Sequence, residues 1–268
     1  MKRMEIAIAA LVCGIATASA ADIGSLKDSG GAPARTTSAQ WNGLSVTGTA
    51  GRSALDATVR ENSSSTVDVD GTTVATRSDA TAMPFGGDGW VFGGELAYRH
   101  AVAPRLYLGA YLGGDFSTGR GQRIDSWSYA DEQGSESGAD KVKWTRDYAG
   151  FAGLEIGREF GSALIFARAG GAYGHFDLSG VDADADGAKT KHDRYGWTVG
   201  GGADIALGGP WSLRGEYRYI DWGSAKIFGE TGVNDLGDGA TETYANAVKI
   251  DTTEQTFLVG LTYRFGAN

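Results

Sequence analysis

Residues 196–219 read Gly196-Trp197-Thr198-Val199-Gly200-Gly201-Gly202-Ala203-Asp204-Ile205-Ala206-Leu207-Gly208-Gly209-Pro210-Trp211-Ser212-Leu213-Arg214-Gly215-Glu216-Tyr217-Arg218-Tyr219. Before the Gly208-Gly209-Pro210 break, Trp197, Val199, Ala203, Ile205 and Leu207 alternate with Thr198, Gly200, Gly202, Asp204 and Ala206. After it, Trp211, Leu213, Tyr217 and Tyr219 alternate with Ser212, Arg214, Glu216 and Arg218. Period-two alternation on both sides of a cluster of turn residues predicts two antiparallel strands. If the break is a three-residue loop, Asp204 falls opposite Arg214, and opposite charges facing each other favour that register over slipped ones. Each strand thus has one apolar face and one face that carries charge. The apolar face could line a water-soluble core or meet lipid, and the rest of the chain decides between these.

Working outward, the same alternation recurs. The last strand sets Phe257, Val259, Leu261, Tyr263 and Phe265 against Thr256, Leu258, Gly260, Thr262 and Arg264. Segments 42–52, 90–100, 105–117, 146–160 and 163–176 complete a set of eight with 193–207, 211–222 and the terminal strand. Short connections at 101–104, 161–162 and 208–210 alternate with long polar ones at about 53–88, 118–145, 179–192 and 224–250. Taking Gly161-Ser162 as a two-residue hairpin loop pairs Phe160 with Ala163 and puts Glu155 opposite Arg168. Aromatics gather at two heights. Trp41, Tyr98, Trp211, Tyr263 and Phe265 lie near the short turns, and Phe92, Phe116, Tyr148, Tyr173, Trp197, Tyr219 and Phe257 near the long loops. Two girdles flanking an apolar band, with short turns at one end and long loops at the other, describe a transmembrane barrel and not a sandwich. The expected fold is all-β, an eight-stranded antiparallel up-and-down transmembrane β-barrel with long extracellular loops. An Asp-Gly hairpin signal in Val67-Asp68-Val69-Asp70-Gly71-Thr72-Thr73-Val74 reads as an extracellular extension of the sheet, with a ten-stranded barrel as the alternative.

The chain start fits export. Met1-Lys2-Arg3, an apolar run over 6–15 and the small residues Thr17-Ala18-Ser19-Ala20-Ala21 predict a signal peptide over 1–20, cut after Ala20. Residues 21–40 are rich in Gly, Ala, Ser and Thr and read as a flexible periplasmic segment, leaving 41–268 as the barrel. The single cysteine, Cys13, lies in the cleaved segment, so the mature chain has no disulfide framework and no thiolate chemistry. With 43 Gly and only 4 Pro the composition favours strands and tight turns. A net charge of −9 makes nucleic acid an unsuitable partner.

At this point the chain resembles the small eight-stranded outer-membrane "porin family" proteins of Gram-negative bacteria, relatives in architecture of the OmpA transmembrane domain. Three stretches carry the resemblance: Trp41-Asn42-Gly43 opening the first strand, the 196–219 hairpin quoted above, and Val259-Gly260-Leu261-Thr262-Tyr263-Arg264-Phe265. The resemblance implies an integral outer-membrane location and insertion by the barrel-assembly machinery. It implies no single activity, since members are structural, permeability-related, adhesive or ligand-binding. The terminal aromatic of such barrels usually ends the chain, whereas Phe265 is followed by Gly266-Ala267-Asn268.

Candidate sites follow from the alternation. The charged faces place Glu95, Asp115, Glu155, Asp204 and Glu216 with Arg99, Arg168, Arg214, Arg218 and Arg264 in the lumen, five acids against five bases. An eight-stranded lumen is just wide enough for side chains to fill, so these groups are expected to pair and close it. Lys143, Arg146, Lys191 and Arg194, near the strand tops, form an expected cationic rim for lipopolysaccharide phosphates; the plainer alternative is solvated loop charge. Asp182-Ala183-Asp184-Ala185-Asp186-Gly187 with Asp193 in twelfth position has the spacing of a calcium loop. Lys189 in a normally apolar place and a short closing carboxylate favour a plain acidic loop instead. His100, His175 and His192 are scattered, and none forms the His-Ser pairing of an outer-membrane lipid hydrolase. The chain therefore reads as a non-enzymatic structural or surface-interaction barrel without cofactor, whose partners are outer-membrane lipid and lipopolysaccharide. A small porin is the alternative, and a lipid enzyme a weaker one.

Overall fold

The computed structural model describes residues 40–131, 134–181 and 189–266. The chain runs through β1 (Gly43–Val69), β2 (Thr72–Ala103), β3 (Leu106–Ser117), β4 (Arg120–Asp131), β5 (Gly134–Phe160), β6 (Ala163–Val181), β7 (Lys189–Gly208), β8 (Trp211–Gly237) and β9 (Ala240–Arg264). All pairings are antiparallel, and β1 bonds to β2 on one side and to β9 on the other. First and last strands thus close a ring in the order β1-β2-β3-β5-β6-β7-β8-β9. The ring has eight strands. β4 stands in line with β3, pairs with β5 from Arg120↔Thr145 to Asp131↔Gly134, and touches β2 only at Gly87 and Asp88. The ten-stranded alternative is not adopted. Closure removes sheet edges from the ring, so its backbone groups are satisfied within the wall.

The short turns set the register. Phe160 pairs with Ala163 and Glu155 with Arg168, while Asp204 pairs with Arg214. The sheet extension expected at the Asp70-Gly71 hairpin is present, with β1 and β2 paired up to Val69↔Thr72, and the long connections carry more strand than expected. Much of 53–88 and 224–250 is strand and not loop. Asp70-Gly71 (φ 50° and 76°) and Asp238-Gly239 (φ 51° and 75°) both have two successive positive φ angles, the requirement of a type I′ hairpin turn. β1 and β9 pair without a shift from Ser45↔Arg264 to Val69↔Ala240. The two hairpin tips are joined, the Asp70 amide donating to the Gly239 carbonyl at 3.0 Å. A four-stranded sheet, β2-β1-β9-β8, therefore stands beyond the ring. Its sequence, as in Ser63-Ser64-Ser65-Thr66-Val67, lacks an apolar face, so hydrophobic alternation was silent where turn chemistry and pairing still extend the strands. The expected signal peptide, most of the 21–40 segment and the Asp182, Asp184 and Asp186 loop lie outside the described residues.

Polarity is inverted relative to a water-soluble domain. Leu112, Phe116, Leu154, Tyr195 and Val259 are 60–78% exposed on the outer face, whereas charged side chains turn inward. A belt of outward Leu, Val, Ile and aromatic side chains needs an apolar neighbour, as the hydrocarbon layer supplies. Tyr98, Trp211 and Phe265 are exposed at the short-turn end, and Phe92, Phe116, Tyr148, Trp197 and Phe257 at the other. Trp41 corrects the girdle reading. It is 1% exposed and packs with Tyr107 and Leu164 inside the short-turn end.

Candidate functional site

The feature that dominates the interior is a stack of interlocked charges. Inward-facing positions are odd on β1, β2 and β3 and even on β6, β7, β8 and β9, which brings Arg99, Asp115, Arg168, Asp204, Arg214, Glu216, Arg218 and Arg264 into the lumen. Glu155 accepts from Arg99 Nε at 2.5 Å and from Arg168 Nη2 at 2.9 Å. Asp204 accepts from Arg99 Nη1 and Arg214 Nε, both at 2.7 Å, and from Arg214 Nη2 at 2.9 Å. Glu95 bridges Arg214, at 2.6 Å, to Arg168, and Arg168 also meets Glu216 at 3.2 Å. The two pairs expected from register, Glu155–Arg168 and Asp204–Arg214, are thus direct contacts inside a larger web.

Aromatic faces support the guanidiniums. Arg168 lies over the rings of Tyr111 and Phe166 at 4.3 and 4.8 Å, and Arg214 over Phe166 at 5.0 Å. Room for Phe166 comes from Gly202. A Cβ there would stand 2.9 Å from the Phe166 ring and 2.1 Å from the Gly215 carbonyl oxygen. Gly202→Val is therefore expected to lower the unfolding free energy by roughly 1–3 kcal/mol through overpacking. Gly171→Ala, where a Cβ meets nothing within 4 Å, should leave it unchanged. Guanidinium unfolding of the refolded barrel, followed by tryptophan fluorescence, measures both, and equal midpoints would refute the close-packing role.

A second layer lies toward the long-loop end. Asp115 accepts from Arg146 at 2.6 Å and Arg218 at 2.5 Å, and Arg146 also donates to Glu254 at 2.9 Å. Glu254 further accepts from Ser53 at 2.5 Å and from the Trp222 indole at 3.2 Å. Above this, Trp144 stacks on Phe176 and Trp222 meets Phe176 edge to face, with centroids 5.1 and 5.2 Å apart, and the three join buried Ile220, Ile250 and Leu55. Arg194 sits among them, donating to Thr252 Oγ1 at 2.7 Å and to the Ile250 carbonyl at 2.9 Å. At the short-turn end Arg264 lies over Trp41 at 4.3 Å, and Tyr107 donates to Glu159 at 2.8 Å.

The rim reading is corrected at two positions. Arg146 and Arg194 are 2% and 4% exposed and face the lumen, so neither reaches lipid phosphates. The cause at Arg146 is a β-bulge between Arg146 and Tyr148, which shifts the inward parity of β5 from even to odd. Arg194 follows the even parity of a β7 that begins at Lys189, several residues before the alternation becomes apolar. The side chains of Lys143 and Lys191 lie outside the described residues. Sequence reasoning also missed Glu159 and Glu254. With Glu95, the described interior acids are Asp115, Glu155, Glu159, Asp204, Glu216 and Glu254, seven against seven arginines. Asp193, the weaker candidate for closing a calcium loop, accepts from His175 at 2.7 Å on the outer face, and that loop's Asp182, Asp184 and Asp186 lie outside the described residues.

The profile of the outer membrane protein beta-barrel domain family matches residues 7–265. The 31 kDa outer-membrane immunogenic proteins of Brucella melitensis biotype 1 and Brucella suis biovar 1 are each 29% identical over 185 residues, covering 66% of this chain and 67% of theirs. Among solved structures, Neisserial surface protein A aligns at 12% identity over 78% of this chain and 97% of its own, with a TM-score of 0.37. OprG of Pseudomonas aeruginosa aligns at 16% identity over 85% and 98%, with a TM-score of 0.42.

Proposed function

The chain belongs to the outer membrane protein beta-barrel domain family, and from that premise we propose that it is a non-enzymatic surface-interaction protein whose barrel is an anchor and not a pore. It is an integral protein of the outer membrane, with its apolar belt in the lipid. The observation that carries the reading is the filled lumen. Two charge layers are interlocked across the ring, with Trp144, Phe176 and Trp222 packed over one end and Trp41 and Tyr107 under the other. A solute passing through would have to break several buried ion pairs together, and each broken pair strands a charge in a poorly solvated space.

Among the described residues, the polar four-stranded sheet beyond the ring is free to meet the surroundings, alongside the β4–β5 hairpin. One face of the sheet offers Ser63, Ser65, Arg77, Asp79, Asn234 and Glu242 beside Tyr244, groups that hydrogen-bond and carry charge.

Single-channel recording of the purified, refolded protein in planar bilayers tests this reading. No discrete, lasting open level is expected from the wild-type barrel. A stable conductance in most insertions would overturn the anchor reading and establish a small porin in its place.

A further inference from the structure

We infer that Asp147, His175 and Asp177 form an outward-facing site for a divalent transition-metal ion of the zinc type, held in position by Asp193. The site is assembled by strand pairing. Tyr148 pairs with His175 and Arg146 with Phe176, so Asp147 is the extra residue of the bulge and is exposed on the outer wall. On β6, His175 and Asp177 are two residues apart and share the outward face. On the far side His175 pairs with Asp193 of β7. Three strands thus converge their polar side chains on one imidazole.

The geometry has the parts a borderline metal ion requires. One ligand atom each from Asp147, His175 and Asp177 lies within 4.8 Å of the other two. A zinc ion with bonds of about 2.0–2.2 Å needs ligand spacings of roughly 3–4 Å, so carboxylate rotations of about an ångström complete the set. Asp193 Oδ1 stands 2.7 Å from His175 Nδ1. With Nδ1 turned to that carboxylate, Nε2 is the nitrogen that faces Asp177, whose carboxylate is 4.0 Å away, and it is the atom available to a metal ion. A carboxylate that orients a ligating histidine from behind is the usual outer support of zinc sites. The ring is fixed further by stacking on Tyr148, with centroids 5.2 Å apart and planes at 10°. One nitrogen and two carboxylates suit zinc, whereas calcium and magnesium favour all-oxygen sets. Three protein ligands leave a tetrahedral ion one position open to the outside.

The test uses the full refolded chain in detergent, stripped of metal, and zinc itself as the probe. Competition with a chromophoric chelator should give one bound equivalent in the wild type. Affinity should fall at least tenfold in His175→Gln, and about 10–100-fold in Asp193→Asn with the stoichiometry kept. Magnesium at the same concentration should not displace zinc. In the wild type, zinc should also protect His175, and not His100, from carbethoxylation, as read by peptide mass spectrometry; this arm needs no variant to fold. Absence of a zinc equivalent, unchanged affinity in His175→Gln, displacement by equimolar magnesium or unprotected His175 would each overturn the assignment.

Discussion

Arg168→Ala is expected to lower the unfolding free energy of the refolded barrel by roughly 3–5 kcal/mol, the cost of removing one partner from a buried ion pair. Arg168 holds three acids at once, Glu95, Glu155 and Glu216. Its loss leaves Glu216 without its arginine and takes from Glu155 and Glu95 one of two each. Those carboxylates are buried, Glu155 and Glu216 among them, so the charge left behind is poorly compensated. Arg168→Lys should recover only part of the loss, since an ammonium lacks the planar fork that reaches several acids together. Arg77→Ala on the exposed sheet serves as the control, its side chain being 80% exposed. A loss at Arg168 no larger than that of the control, in the same guanidinium series, would show that the interior charges do not act as a network.

Trp222→Ala should have a comparable effect for a different reason. The indole is packed against Phe176 and donates to Glu254 at 3.2 Å. Truncation removes a large buried ring, worth about 3–5 kcal/mol, and also takes a donor from an acid shared with Arg146. Trp222→Phe keeps much of the packing and should cost about 1 kcal/mol, the share of the lost hydrogen bond. Trp197→Ala, on the outer girdle and 50% exposed, should cost less than Trp222→Ala. If Trp197→Ala proves the more damaging, the aromatic cluster at the long-loop end is not a structural plug.

The membrane-embedded half of this fold was legible because two rules act there together. Alternation tells inside from outside, and two- or three-residue turns fix which residues face each other. Glu155–Arg168 and Asp204–Arg214 follow from those rules alone. Above the apolar band the outward face no longer needs to be apolar, so the alternation fades although the strands continue. Trp222 and Arg194 therefore stand at strand ends in the sequence reading and Glu254 in none of its strands, although all three sit on inward parity. Arg146 failed for another reason. One extra residue in β5 exchanges the two faces, and no residue type marks that bulge in the sequence. The metal-type cluster was hidden by the same bulge, which is what carries Asp147 to His175.

The stapled hairpin tips bear on how long the molecule lasts. A closed wall has to tear somewhere before it can unravel, and the seam between the two chain ends is a natural place. Here that seam runs through twenty-five consecutive residue pairs. Its lower part sits in hydrocarbon, where parting the strands would bare amides and carbonyls with nothing to bond. A tear is cheapest at the top, in water, and that is where Asp70 is tied to Gly239. The surface sheet thus acts as a clasp on the seam, raising the barrier to opening more than it raises equilibrium stability. Persistence of the folded barrel becomes a matter of rate.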